Sequence, residues 1–178
     1  MAVAPKMVGT EAVQTAWQAA IEEILGPEQD VLGERLPSWQ GAVAALCGYY
    51  GERAGKGLSV RIGRAFARRL VPLFAEQAGF QSAAFRFLPW PRKVVRGLER
   101  LGAFARQWFV VPVTVDVQET EIVWRFAACP FGATWAGSCA LWQGFLQEIL
   151  YWLSGGRWFA VHLDGKKPLL RVPRRPLH

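Results

Sequence analysis

Apolar positions along this chain keep helical spacing through the first half, switch to alternation, return to helical spacing, and alternate again near the end. The first stripe is Val13, Trp17, Ala20, Ile21 and Leu25, one face of a helix over residues 10–25 with Thr10 at its start and Gly26-Pro27 as its stop. "GPEQDVLGERLP" reads as a loop. A second helix is expected from Ser38 to about Tyr50, with Ala42, Val43, Leu46, Cys47 and Tyr50 on one face. Gly41 and Gly48 lower helix propensity there and point to close helix packing first, or to a passing ligand. In "LSVRIGRAFARRL", Leu58, Ile62, Ala65, Phe66, Leu70 and Leu73 form an apolar arc, with Arg61, Arg64 and Arg68 outside it. Gly55 and Gly57, just before, read as a turn that allows close approach. Arg69 falls inside the arc. It snorkels, pairs with a buried acid, or faces a ligand carboxylate. A fourth helix is expected over 92–107, its inner face lined by Leu98, Leu101 and Ala105.

The period then becomes two. "FVVPVTVDV" and "TEIVWRFAA" read as strands joined near Gln118-Glu119, with Val111, Val113, Val115 and Val117 on one face and Ile122, Trp124 and Phe126 on another. Pro112 marks the first as an edge strand or a bulge. "SCALWQGFLQEILYWLSGG" is a helix begun by Ser138 and ended by Gly155-Gly156. Cys139, Trp142, Phe145, Leu146, Ile149, Leu150, Trp152 and Leu153 cover nearly half its circumference. "RWFAVHLDGKKPLLRVP" reads as two strands about the Asp164-Gly165 turn. Helices, hairpin, helix and hairpin in that order predict an α+β fold, an antiparallel sheet of about four strands with packed helices and a helical N-terminal half.

Composition narrows the function classes. With 178 residues, 52% hydrophobic and 20% charged, the chain is globular and of one-domain size. Nine Trp and eleven Phe supply large buried or interfacial area. The net charge of +7 concentrates in two helical regions and in "RVPRRPLH". A solvated basic face is the first account of it, and a peripheral contact to an anionic membrane the alternative. No zinc-finger or RNA-recognition signature accompanies it, so no specific nucleic acid is expected. Three cysteines make no disulfide framework, the N-terminus has no apolar leader, and no segment is long and apolar enough to span a bilayer; a cytoplasmic location is expected.

Catalytic motifs are sparse. "GERAGKGLS" lacks the first glycine and the Ser/Thr of a phosphate-binding loop, and Val60 replaces the third glycine of a dinucleotide fingerprint. There is no G-x-S-x-G elbow. His162 sits on an expected strand, and Cys139 on the apolar face of a helix. Cys129, Cys139 and His162 are weak zinc candidates with no close-set spacing.

Several stretches together resemble the 4-vinyl-reductase, or hydrocarbon-binding, domain family, which is similar to Golgi transport-particle subunits and to haem–nitric-oxide-binding domains. They are "YYGERAGKGLSVRIGRAFARRL", with Gly57, Arg61 and Gly63-Arg64; "FLPWPRKVVRGLERLGAFA"; and "CPFGATWAGSCALWQGFLQEILYWLSGGRWFAVH". The resemblance covers roughly residues 32–172, leaving 1–31 as an N-terminal helix and 173–178 as a basic tail. It implies an α+β, often homodimeric domain with an apolar cavity, a role in sensing or bacteriochlorophyll metabolism, and a bound lipid or tetrapyrrole with no required cofactor. Members often carry zinc on a cysteine like Cys139 plus a final Cys-x-Gly-x-Cys; here "VHLDGKKPLLRV" has no cysteine, so no zinc is expected. The expected ligand pocket is Leu46, Tyr50, Ile62, Phe66, Trp142, Phe145 and Ile149, with Arg69 meeting one acidic end. A non-enzymatic apolar-ligand module is the first reading. A homodimeric assembly subunit is the alternative, and a tetrapyrrole vinyl reductase the third.

Overall fold

The computed structural model describes residues 10–26, 41–108, 113–127, 135–164 and 167–177. Among them are α1 (Thr10–Leu25), α2 (Ala42–Tyr50), α3 (Glu52–Phe74), α4 (Ala83–Arg86), α5 (Trp90–Trp108), β1 (Val113–Val117), β2 (Glu121–Phe126), α6 (Trp135–Leu153), β3 (His162–Leu163) and β4 (Leu169–Pro173). The four strands form one antiparallel sheet in the order β1-β2-β4-β3, giving an α+β fold. Alternation fixes its register. Val113, Val115 and Val117 pair with Phe126, Trp124 and Ile122, so the apolar sets of β1 and β2 share a face. β1 is an edge strand, as a proline beside it requires; Pro112 itself, Ser38 and the Gly165 half of the last turn lie outside the described residues.

Aromatic rings run through the layers from α1 to the sheet. Trp17 meets Phe66 of α3 at 5.6 Å, Phe66 meets Phe145 of α6 at 6.0 Å, and Phe145 meets Trp142 at 5.0 Å. Trp142 in turn reaches Phe126 at 5.3 Å and Trp124 at 6.4 Å. The helix of residues 10–25 is therefore part of the same core as the rest, with Val13, Trp17, Ala20, Ile21 and Leu25 all buried.

Two glycines set the spacing of α3 and α6. A Cβ on Gly63 would lie 2.0 Å from the Leu141 carbonyl oxygen, and one on Gly144 would lie 2.0 Å from that of Val60. The helices cross backbone against backbone, which only hydrogen side chains allow.

Several expectations change. The turn before α3 is at Gly51 (φ 84°), and α3 starts at Glu52, so Gly55 and Gly57 are helical. Gly55 does allow close approach, its Cβ position falling 2.5 Å from the Cys47 backbone, but Gly57 faces open space. Gly41 is not inside α2; it takes φ 84° at the N-cap. Gly48 packs against nothing. Leu73 is 39% exposed, because Ala12, Ala16 and Ala19 opposite are too small to cover it. Trp152 is 43% exposed although it keeps the 3–4 spacing from Phe145 and Ile149, and it lies over Phe80 at 5.5 Å at the edge of the core. α6 begins at Trp135, ahead of Ser138.

Gly48 and Gly57 thus hold helical positions with free space around them. Replacing either with alanine is expected to stabilise the protein by about 0.5–1 kcal/mol, read as a higher urea midpoint at unchanged slope.

Candidate functional site

The structure divides the eight residues expected to line a pocket. Leu46, Ile62, Phe66, Trp142, Phe145 and Ile149 come together, but at 0–2% exposure. Side chains lining a void of ligand size would present accessible surface to it; these fill their space with one another. Tyr50 is partly buried, its ring 4.9 Å from Tyr49. Arg69 is remote from the cluster's interior. Its guanidinium pairs with Glu23 at 2.9 Å on the α1–α3 surface. The acid that holds it is a half-exposed one, so Arg69 does not present a free cation to a core ligand.

Neighbouring arginines are similarly engaged. Glu148 is buried on α6 and is held by Arg64 at 3.1 Å and Arg68 at 3.7 Å. Arg68 also reaches Glu23 at 2.7 Å. Arg64 stacks 4.4 Å from the Trp158 ring centre. This network ties α1, α3 and α6 together, and its cations are spent on it. It borders a groove of about 420 Å³ that also includes Gln143, Gln147 and His162. Trp158 there is already stacked between Arg64 and Tyr151, whose ring centre lies 4.6 Å away.

A different groove, of about 400 Å³, combines an apolar floor with an arginine rim. It is lined by Leu88, Pro91, Arg92, Val95, Arg96, Val117 and Arg174. Its origin is geometric. Pro91, Arg92, Val95 and Arg96 fall on one face of the first turns of α5 at one- and four-residue spacing. α5 lies close on β1 at Gly102, where an added Cβ would be 3.0 Å from a Val115 methyl. Towards the start of α5 and the end of β1 the two diverge: Val113 is buried, Val115 half-buried and Val117 39% exposed. The opening between them is the groove.

The tail closes one side. The Arg174 backbone N–H donates to the Thr120 carbonyl at 2.9 Å, and its guanidinium donates to the Gln118 and Glu119 carbonyls at 3.4 and 3.3 Å. Arg96 pairs with Glu99 at 3.1 Å, an exposed pair one helical turn long. Arg92 is exposed and has no carboxylate in ion-pair range among the described residues. The arrangement can hold a hydrocarbon on Leu88, Val95 and Val117 and an acid group at Arg92.

Nucleophilic and metal chemistry find little here. Burial, and then the charge of Glu52, push the Cys47 thiol up against the opposing pull of Lys56, which is the reverse of what activates a cysteine. His162 is exposed on β3. Cys129 lies outside the described residues, and of Cys139 only the backbone, in α6, is described. Among the described residues no three His, Cys, Asp or Glu side chains gather as a metal site. No helix among them is long and apolar enough to cross a membrane.

The arginine-rimmed groove was not among the sequence expectations. The signal in the sequence is the outer-face pattern Pro91, Arg92, Val95, Arg96 in "WPRKVVR", outside the apolar face of that helix. No family model, curated protein or solved structure matches this chain.

Proposed function

We propose that the protein is a non-enzymatic binding module for an apolar small molecule with one acidic end, a fatty acid or a tetrapyrrole propionate being the chemical type, held in the groove between α5 and β1. The observation that carries this reading is the groove itself, an apolar floor about 400 Å³ in extent with Arg92 uncommitted at its rim. Ligand sites of this size are mostly apolar with few, well-placed polar groups. A guanidinium meets a carboxylate through two parallel N–H donors, which orients the acid end. The class is the one the 4-vinyl-reductase resemblance implies, with Arg92 in the role first given to Arg69.

Native mass spectrometry of freshly purified full-length protein tests it. A retained apolar acid on the wild type is expected, and none on Val95→Trp, whose indole fills the floor from a partly exposed position without disturbing the core. Retention by Val95→Trp equal to wild type contradicts the site.

The assembly reading has one observation in its favour. Between α1 and α3 runs a second groove, about 500 Å³, with Ala12, Ala16 and Ala19 on one side and the exposed Leu73 on the other. A two-fold pairing of these early helices would cover Leu73. Light scattering at micromolar concentration distinguishes the two: a dimer that Leu73→Glu converts to a monomer supports assembly, and a monomeric wild type excludes it.

A further inference from the structure

Phe87 stands in the turn between α4 and α5 at 88% exposure, the most open large apolar side chain described. A single exposed apolar residue is ordinary. This one is placed between Arg86 and the groove residue Leu88, beside a groove lined by Arg92, Arg96 and Arg174, and exposed Arg175 follows Arg174. Among the described residues, the carboxylate paired with any of these five arginines is Glu99, on Arg96.

We propose that this face docks on an anionic bilayer, with Phe87 entering the headgroup boundary and the arginines meeting lipid phosphates. Charge complementarity identifies the occupant. Each cation brought to an anionic leaflet multiplies affinity by about fivefold, and an aromatic at the boundary adds burial that bulk water does not offer. A duplex would use the same cations but leave Phe87 without a counterpart, and a single strand that stacked a base on Phe87 would still leave the hydrocarbon of Leu88, Pro91 and Val117 uncovered. The surface extends beyond the ligand groove, since Phe87, Arg86 and Arg175 do not line it. It places the groove mouth where an amphiphile leaves or enters a membrane.

Vesicle flotation with the full chain tests this. Binding to mixed phosphatidylcholine–phosphatidylglycerol vesicles is expected to exceed binding to phosphatidylcholine alone by at least about tenfold and to fall as salt shortens the Debye length. Phe87→Ser is expected to weaken it by about tenfold, Phe87→Trp to retain it, and Arg86→Glu with Arg175→Glu to weaken it by about tenfold or more. All these side chains are exposed, so folding is unaffected, which far-UV circular dichroism verifies. Val95→Trp should keep vesicle binding while losing the soluble ligand, and Phe87→Ser the reverse, so failure of one reading is distinct from failure of the other. Equal binding to both vesicle types, no binding to either, or Phe87→Ser binding like wild type overturns the proposal. So does binding of single-stranded RNA tighter than binding to the anionic vesicles, whether or not it depends on Phe87.

Discussion

Gly144→Ala is expected to destabilise the protein by about 3 kcal/mol or more, at or beyond the upper end of ordinary overpacking costs. The added methyl would sit 2.0 Å from the Val60 carbonyl oxygen and 2.7 Å from its carbon. Those are backbone atoms of α3, so no rotamer change relieves the clash, and the two helices must separate. Gly63→Ala meets the Leu141 carbonyl in the same way and should cost a similar amount. Separation of α3 from α6 relieves both clashes at once. The double variant is therefore expected to cost clearly less than the sum of the singles, a coupling that a double-mutant cycle in urea reads directly. Additive costs would mean that the two glycines act at independent places.

Phe145→Ala is the second large effect, about 3–5 kcal/mol of lost stability. Phe145 is 2% exposed and touches both Phe66 and Trp142, so its removal opens a void in the middle of the aromatic run. Trp142→Ala should behave alike, since Trp142 links α6 to Phe126 and Trp124 on the sheet. A ligand pocket at these positions would instead give a loss of ligand affinity larger than the loss of stability. With the core filled by its own side chains, the affinity of the remaining folded fraction for a groove ligand should stay within about twofold of wild type, because sites far apart with no shared partners act independently.

What the sequence disclosed follows from what periodicity encodes. The stripe Val13, Trp17, Ala20, Ile21, Leu25 and the alternation of β1 and β2 each repeat a single geometric rule over several residues, so element type and inward face were legible. The break at Gly51 was not. Gly51, Gly55 and Gly57 are the same residue type close together, and only the backbone angle, 84° at Gly51, tells which one turns the chain. Apart from Leu73 and Trp152, the inward faces of α3 and α6 and the buried part of α2 were legible, but a pattern names the side chains that point inward without saying whether they meet. Here they meet, and the expected pocket is core.

The groove was hidden for the opposite reason. Its floor takes Leu88 from a turn, Val95 from α5 and Val117 from an edge strand, and its rim takes Arg174 from the tail. No local pattern joins these segments; the divergence of α5 from β1 does. Arg69 stood out in the sequence because it broke a helical arc, and the fold gives it Glu23 on the neighbouring helix. Arg92 broke no pattern and is left without an acid among the described residues.

Calorimetric titration of the full chain with a medium-chain fatty acid and with the alcohol of the same length, both below their micelle concentrations, tests the groove most directly. A charge-assisted pair at Arg92 predicts that the acid binds at least about tenfold tighter than the alcohol. That margin should shrink in Arg92→Ala, and both ligands should be lost in Val95→Trp. Equal affinity for acid and alcohol in the wild type, or binding that survives Val95→Trp, would contradict an arginine-rimmed amphiphile site.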